Sequence, residues 1–185
     1  MNAENHVKDI VIRFKEVLDA HNKHLECFVD YGVQLEGWLK GELLYFLDNE
    51  KASKRIANFE REVQVGIGRK KVDFYLEIPT GAAVLDVWIE LKHWLLGYQK
   101  GYKYNAGFYF GDASPVGIKP DIEKLNQFTQ ENKYLLILAT VNPGVDDWSS
   151  GIAKFNKKFS PLCLNSLTNP AEFPQSYFLG LLKVQ

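Results

Sequence analysis

Hydrophobic positions change period along this chain, and each change marks an element. Val7, Ile10, Phe14, Val17 and Leu18 recur at helical spacing and predict a helix over residues 5–30. A second helical pattern runs from Val33 to Leu47 and gives way to a charged stretch, Asp48 to Arg61. The period then drops to two. Residues 62–67 alternate as a strand, Gly68-Arg69-Lys70 reads as a turn, and Val72, Phe74, Leu76 and Ile78 alternate with Asp73, Tyr75 and Glu77 in a second strand. Pro79-Thr80-Gly81 breaks it, and a third strand covers 84–92. Residues 97–120, rich in Gly, Tyr and Lys, read as a long irregular connection with a short helix at its start. Pro120 and Asp121 open a helix over 121–132, whose acidic first turn suits the helix dipole. Tyr134 to Thr140 is a continuous apolar run, the mark of a central strand buried on both faces. A helix over 147–158 and a strand over 177–184 complete the series. No repeat or linker divides it, so the pattern predicts one α/β domain over residues 1–185.

Composition narrows this little. The chain has 185 residues, 46% hydrophobic and 24% charged, an ordinary globular balance. A net charge of −1 excludes a protein that coats DNA by bulk charge, so any nucleic-acid contact must come from local patches. The two cysteines, Cys27 and Cys163, suit a reduced chain better than a disulfide scaffold. No basic leader followed by an apolar stretch opens the sequence, and no apolar run reaches the length of a membrane span. The expectation is a cytoplasmic protein.

The chemistry lies in the predicted hairpin. If residues 80–83 form its turn, paired residue numbers add to 163, and Asp73 faces Glu90 with Cβ atoms roughly 4.5–5.5 Å apart. Like charges so placed repel, and a divalent cation between them converts the repulsion into binding. Lys92 shares their face. Asp86 shares it too, but lies about 13 Å from Glu90, too far for one metal. Leu85, Val87, Ile89 and Leu91 form the opposite, core-facing side. The polar residues of both strands equally suit the solvated side of an antiparallel sheet.

The second helix adds a further acid. At about 100° per residue, Leu35, Trp38, Leu39, Leu43, Tyr45 and Phe46 cluster on one face, with Glu42 near the middle of that arc and Glu36 and Lys40 on its outer flank. A carboxylate there needs a metal, a lysine, an arginine or a helix hydrogen bond.

Glu42 on its helix, then Asp73, then Glu90-Leu91-Lys92, in the order αβββαβ, resembles the PD-(D/E)XK nuclease superfamily over about residues 33–140. The resemblance departs where the family's proline before the aspartate is Val72. It implies a restriction-endonuclease-like core, a mixed central sheet flanked by helices, with an extra N-terminal helix. It also implies a Mg²⁺ ion, replaceable by Mn²⁺, on Asp73, Glu90 and the Leu91 carbonyl, with Glu42 reaching it directly or through water. Lys92 would position the attacking water. The implied catalytic set is Glu42, Asp73, Glu90 and Lys92, the reaction is phosphodiester hydrolysis in DNA, and cutting both strands would favour a homodimer. The alternative is a non-catalytic module that binds nucleic acid or protein.

Two basic groups could contact phosphates or belong to a solvated surface. One is Lys51, Lys54, Arg55, Arg61, Arg69, Lys70 and Lys71. The other is His93, Lys100 and Lys103, interleaved with Trp94, Tyr98, Tyr102 and Tyr104. His21 and His24, one turn apart, read as surface histidines. Asp121, Glu123 and Lys124 read as helix capping and solvation.

Overall fold

The N-terminal amphipathic pattern folds as two helices, α1 (Ala3–Ala20) and α2 (Asn22–Asp30), because His21 turns the chain between them at φ −99°, ψ 16°. The computed structural model describes residues 3–65, 70–81, 83–99, 102–104, 106–111, 116–142, 145–168 and 177–184. Helix α3 (Glu36–Ala52) continues past the predicted stop at Leu47. Its last turn is held by Glu50, 2% exposed, whose carboxylate accepts from Arg13 of α1 (2.8 and 3.0 Å) and from Arg55 just beyond the helix (2.7–3.0 Å). Ser53 closes the end, its hydroxyl donating to the carbonyls of Asn49 and Glu50.

The strands are β1 (Asn58–Gln64), β2 (Lys71–Pro79), β3 (Val84–Gln99), β4 (Tyr102–Tyr104), β5 (Lys133–Asn142), β6 (Leu164–Ser166) and β7 (Tyr177–Val184). Helices α4 (Ala106–Tyr109), α5 (Ile118–Asn126) and α6 (Val145–Lys158) interleave with them. The sheet order is β1-β2-β3-β5-β7-β6, with β4 folded back on β3. Only β3 and β5 pair in parallel among the described strands, as befits strands joined by a long crossover that carries a helix. The chain is therefore α/β with a mixed open sheet, and helices cover both faces.

Several boundaries move. β1 begins four residues before the predicted strand, and part of the predicted turn, Gly68-Arg69, lies outside the described residues. β3 runs to Gln99 rather than 92, because its second half pairs with β5 from Trp88↔Lys133 to Gly97↔Asn142. Helix α5 starts and ends earlier than 121–132. The short strand β6 has no counterpart in the sequence pattern. The strand over 133–142 is central as expected, with residues 133–140 all buried.

Two cores follow from the alternation. On one face α1, α2 and α3 cover Phe74, Leu76, Val87, Ile89 and Leu91. On the other, α4, α5 and α6 cover Trp94, Leu96, Leu135, Ile137 and Phe178. Trp148 of α6 stacks on Phe178 (5.4 Å, 7°) and donates its indole N–H to Ser166. Beneath it Gly180 leaves no spare room: a Cβ there would meet Trp148 and Leu164 at 3.2 Å. Gly180→Ala is expected to destabilise the fold by about 1–2 kcal/mol, read as a lower denaturant midpoint, because the stacked indole cannot yield. No helix among the described residues is long and apolar enough to cross a membrane.

Candidate active site

The β2–β3 hairpin adopts the expected register as far as Phe74↔Ile89, and Asp73 and Glu90 lie one step beyond that last pair. Pairs run from Pro79↔Val84 to Phe74↔Ile89, each adding to 163, and Thr80 N–H closes the turn on Ala83 O. Gly81, at φ 84°, supplies the left-handed residue that this turn needs. One step past Phe74↔Ile89 the two strands change behaviour. Val72 belongs to the second core while Phe74, two residues on, belongs to the first. Asp73 sits at that switch, and its Oδ2 accepts the backbone N–H of Leu91 at 2.9 Å. The resemblance assigns the Leu91 carbonyl to a metal; the Leu91 group that meets the site's aspartate is its amide.

Helices from both layers reach this seam. From α3, Lys40 Nζ lies 2.8 Å from Asp73 Oδ1 and 3.1 Å from Glu36 Oε1. Burial works to lower the Lys40 pKa, but the hydrogen bonds and charges of Asp73 and Glu36 outweigh it and hold the ammonium above the ordinary lysine value. From α5, Lys124 Nζ bonds both oxygens of Glu90 at 2.7 Å, and Asp121 Oδ2 stands 3.6 Å from Lys92 Nζ. Glu90 is 8% exposed. Burial, followed by the negative charge of Asp73, raises its carboxyl to about 7 against the pull of Lys124. Burial likewise raises Asp121, opposed by Lys92 and Lys124.

Glu42 is elsewhere. Its Oε2 lies 3.3 Å from His21 Nδ1, and His21 in turn stacks on His24. The helix is rotated from the predicted arc because Tyr45, expected on its apolar face, is 68% exposed. The helical acid beside the site is therefore Glu36. Asp121 and Lys124, which sequence reasoning set aside as capping and solvation, touch Lys92 and Glu90. Their signal was present: three residues apart, they share the flank of a stripe made by Ile118, Ile122 and Leu125. We expect Glu42→Gln to leave activity within about two-fold, the small change of a surface site, while Glu36→Gln lowers it by loosening Lys40; parallel rate assays of the two proteins check this.

The second basic group dissolves in part. Trp94 is buried and stacked on Tyr109 at 4.9 Å. His93 is also buried, accepting the Leu35 N–H (3.3 Å) and bonding the Thr140 hydroxyl (2.9 Å), and burial lowers its pKa to about 4. Neither can stack on or pair with a ligand. His93 instead ties the start of α3 to the sheet. Lys100 lies outside the described residues. In the first group, Lys51 bonds Asn58, Arg55 pairs with Glu50, and Arg61 and Lys71 share Glu62, so three of its cations have a carboxylate partner.

The donor chemistry fits a hard divalent cation. Asp73 and Glu90 are oxygen donors on adjacent strands, and each already holds a cationic ammonium within hydrogen-bond distance. Mg²⁺ commonly takes one or two carboxylates and completes its shell with water and phosphate oxygens. Among the described residues no group of three or more His, Cys, Asp or Glu side chains is set to hold a metal. Such a site would rest on these two acids. Comparison with known proteins decides nothing further. No family model, curated protein or solved structure matches the chain.

Proposed function

We propose that this chain is a Mg²⁺-dependent phosphodiesterase acting on DNA, built on a restriction-endonuclease-like core of the PD-(D/E)XK type. One observation carries the reading: the acids Asp73 and Glu90 stand on adjacent strands, one step past the pair Phe74↔Ile89, and each lies within 2.8 Å of a lysine ammonium. Two further features support it. Lys92 lies two residues beyond Glu90 on β3, with its ammonium 3.6 Å from Asp121. The element order α3, β1, β2, β3, α5, β5 follows the αβββαβ order of the resemblance, with β4 and α4 inserted. The choice of DNA rests on the resemblance.

Each residue has a physical task. Asp73 and Glu90 would hold the cation. When bound, a divalent cation supplies Lewis acidity, polarising the phosphate and neutralising its charge. Lys92 directs positive charge at the phosphate oxygens as negative charge builds there. Glu36 orients Lys40, and Lys40 with the Leu91 amide fixes the Asp73 carboxylate. Lys124 neutralises Glu90, a charge balance that a bound cation would take over.

Cleavage of plasmid and oligonucleotide DNA with Mg²⁺ or Mn²⁺ tests the reading, with EDTA and an Asp73→Asn protein as controls. Activity that requires metal and disappears in the variant is expected. A wild-type protein no more active than the variant across several metals sinks it. One observation favours a second reading, a non-catalytic nucleic-acid- or protein-binding module: both carboxylates are already paired with lysines. A Mn²⁺-soaked crystal separates the two, since a peak between Asp73 and Glu90 belongs only to the nuclease.

A further inference from the structure

A cavity of about 210 Å³ opens beside the site, between α3 and the strands β1 and β2. Arg61, Glu62, Asp73 and Phe74 form its wall on the strands. Gly37, Lys40, Gly41 and Leu44 form its helical wall, one face of α3 at i, i+3, i+4 and i+7. Lys40 belongs to the cavity and to the site, because its ammonium bonds Asp73 at 2.8 Å. The cavity thus runs up to the carboxylate that would hold the cation.

The backbone is irregular at this place. Glu62 has φ 52°, a left-handed conformation that a residue with a Cβ rarely adopts. The β1–β2 ladder runs from Arg61↔Phe74 to Val63↔Val72, so Glu62 and Asp73 are the pair it skips. In a regular strand neighbouring side chains point to opposite faces. With the break, Arg61 and Glu62 both line the cavity. The facing helix is bare. Gly41 stands inside α3, where glycine is less favourable than alanine. A Cβ at Gly37 or Gly41 would meet nothing within 4 Å among the described residues, so packing does not call for either glycine. A larger side chain there would fill the cavity.

Arg61 is the cation able to change partner. Its side chain is 62% exposed and pairs with Glu62 at 3.1 Å, an exposed ion pair of little strength. Glu62 also has Lys71 at 3.3 Å and stays compensated when Arg61 turns away. A guanidinium presents a fork of N–H donors that matches two phosphate oxygens. Lys40, by contrast, is committed to Asp73 and Glu36.

We propose that this cavity seats the phosphate next to the one that is cut, gripped by Arg61, with the strand's backbone lying against the Gly37–Gly41 face of α3. This rests on the phosphodiesterase reading above and gives that site a second, non-reacting subsite on the same nucleic-acid strand. A phosphate held there fixes where the scissile linkage sits beside Asp73. Arg61 is a binding residue. Its grip is equal before and during the reaction, so it acts on KM and leaves kcat alone.

Cleavage of a defined oligonucleotide with Mg²⁺ at several salt concentrations tests the proposal, with a melting temperature for each protein. Arg61→Gln should raise KM about 5- to 20-fold with kcat within about two-fold, and should lower the slope of log KM against log salt by about one. A merely structural role would not move that slope. Gly41→Leu should raise KM about 10-fold or more by filling the cavity, with a melting temperature at or above that of wild type, because leucine is the better helix former. Gly41→Ala adds one methyl and should keep KM within about two-fold. Wild-type KM and salt slope in Arg61→Gln overturn the proposal and leave the nuclease reading standing. Wild-type KM in Gly41→Leu does the same. A wild type that cleaves nothing with any metal overturns both.

Discussion

Replacing Lys92 by alanine is expected to slow DNA cleavage by about 100- to 1,000-fold, the usual cost of removing one preorganised donor to a developing oxyanion. The loss should appear in kcat, since Lys92 acts on charge that exists only as the phosphate reacts. Substrate binding should change little. Lys92→Arg keeps the charge but not the reach of the ammonium, so it should recover only part of the rate. Among the described residues the Lys92 ammonium has one ionic partner, Asp121, at 3.6 Å, and the Asp121 Oδ2 is buried, so Lys92→Ala is also expected to cost about 1–3 kcal/mol of stability. Single-turnover rates on one oligonucleotide, compared with denaturant midpoints for the same proteins, separate lost chemistry from lost structure. Equal rates for wild type and Lys92→Ala would remove Lys92 from the mechanism.

The second large effect concerns stability. Glu50→Gln should destabilise the fold by about 3 kcal/mol, the lower end of the cost of breaking a buried ion pair. Arg13 and Arg55 both retain some exposure and can regain water, which keeps the cost from rising further. For a chain of this size that is a fall of roughly 6–12 °C in melting temperature. The variant should also change how stability responds to acid. Burial tends to raise the Glu50 pKa, but the hydrogen bonds and charges of Arg55 and Arg13 prevail and lower it below 4.5. The folded state therefore binds fewer protons than the unfolded state in that range. Its contribution is complete above the unfolded carboxyl value and drains away as pH falls through the lowered folded value. Urea midpoints at pH 7 and below pH 4 should differ less for Glu50→Gln than for wild type. A variant with the same acid slope as wild type would show that Glu50 titrates normally.

The candidate site was legible in proportion to how local its determinants are. The register of β2 and β3 follows from a turn at Thr80–Ala83, so the pairing as far as Phe74↔Ile89 could be counted along the chain. The helical acid could not. Glu36 and Glu42 lie six residues apart, which puts them roughly 120° apart around the helix. Which of them faces the sheet depends on how α3 rolls against it. Trp38 and Tyr45 suggested one roll, and the exposure of Tyr45 together with the pairing of Lys40 to Asp73 shows another. Asp121 and Lys124 are legible as the flank of an amphipathic helix, but nothing near them in sequence reveals that this flank meets Glu90 and Lys92, some thirty positions away.

By itself, then, the sequence determined the α/β class, the central strand over residues 134–140, and the hairpin with its register as far as Phe74↔Ile89. Periodicity, turn chemistry and strand alternation act over a few residues, and each leaves its mark where it acts. Only the tertiary structure decided which side chains complete the site. It turned Glu42 to His21, brought Glu36 and Lys40 to Asp73, buried His93 and Trp94, and laid α5 across β3. Those outcomes depend on the roll of helices against a twisted sheet. The roll is set by the packing of the whole buried surface, and no single segment carries that information.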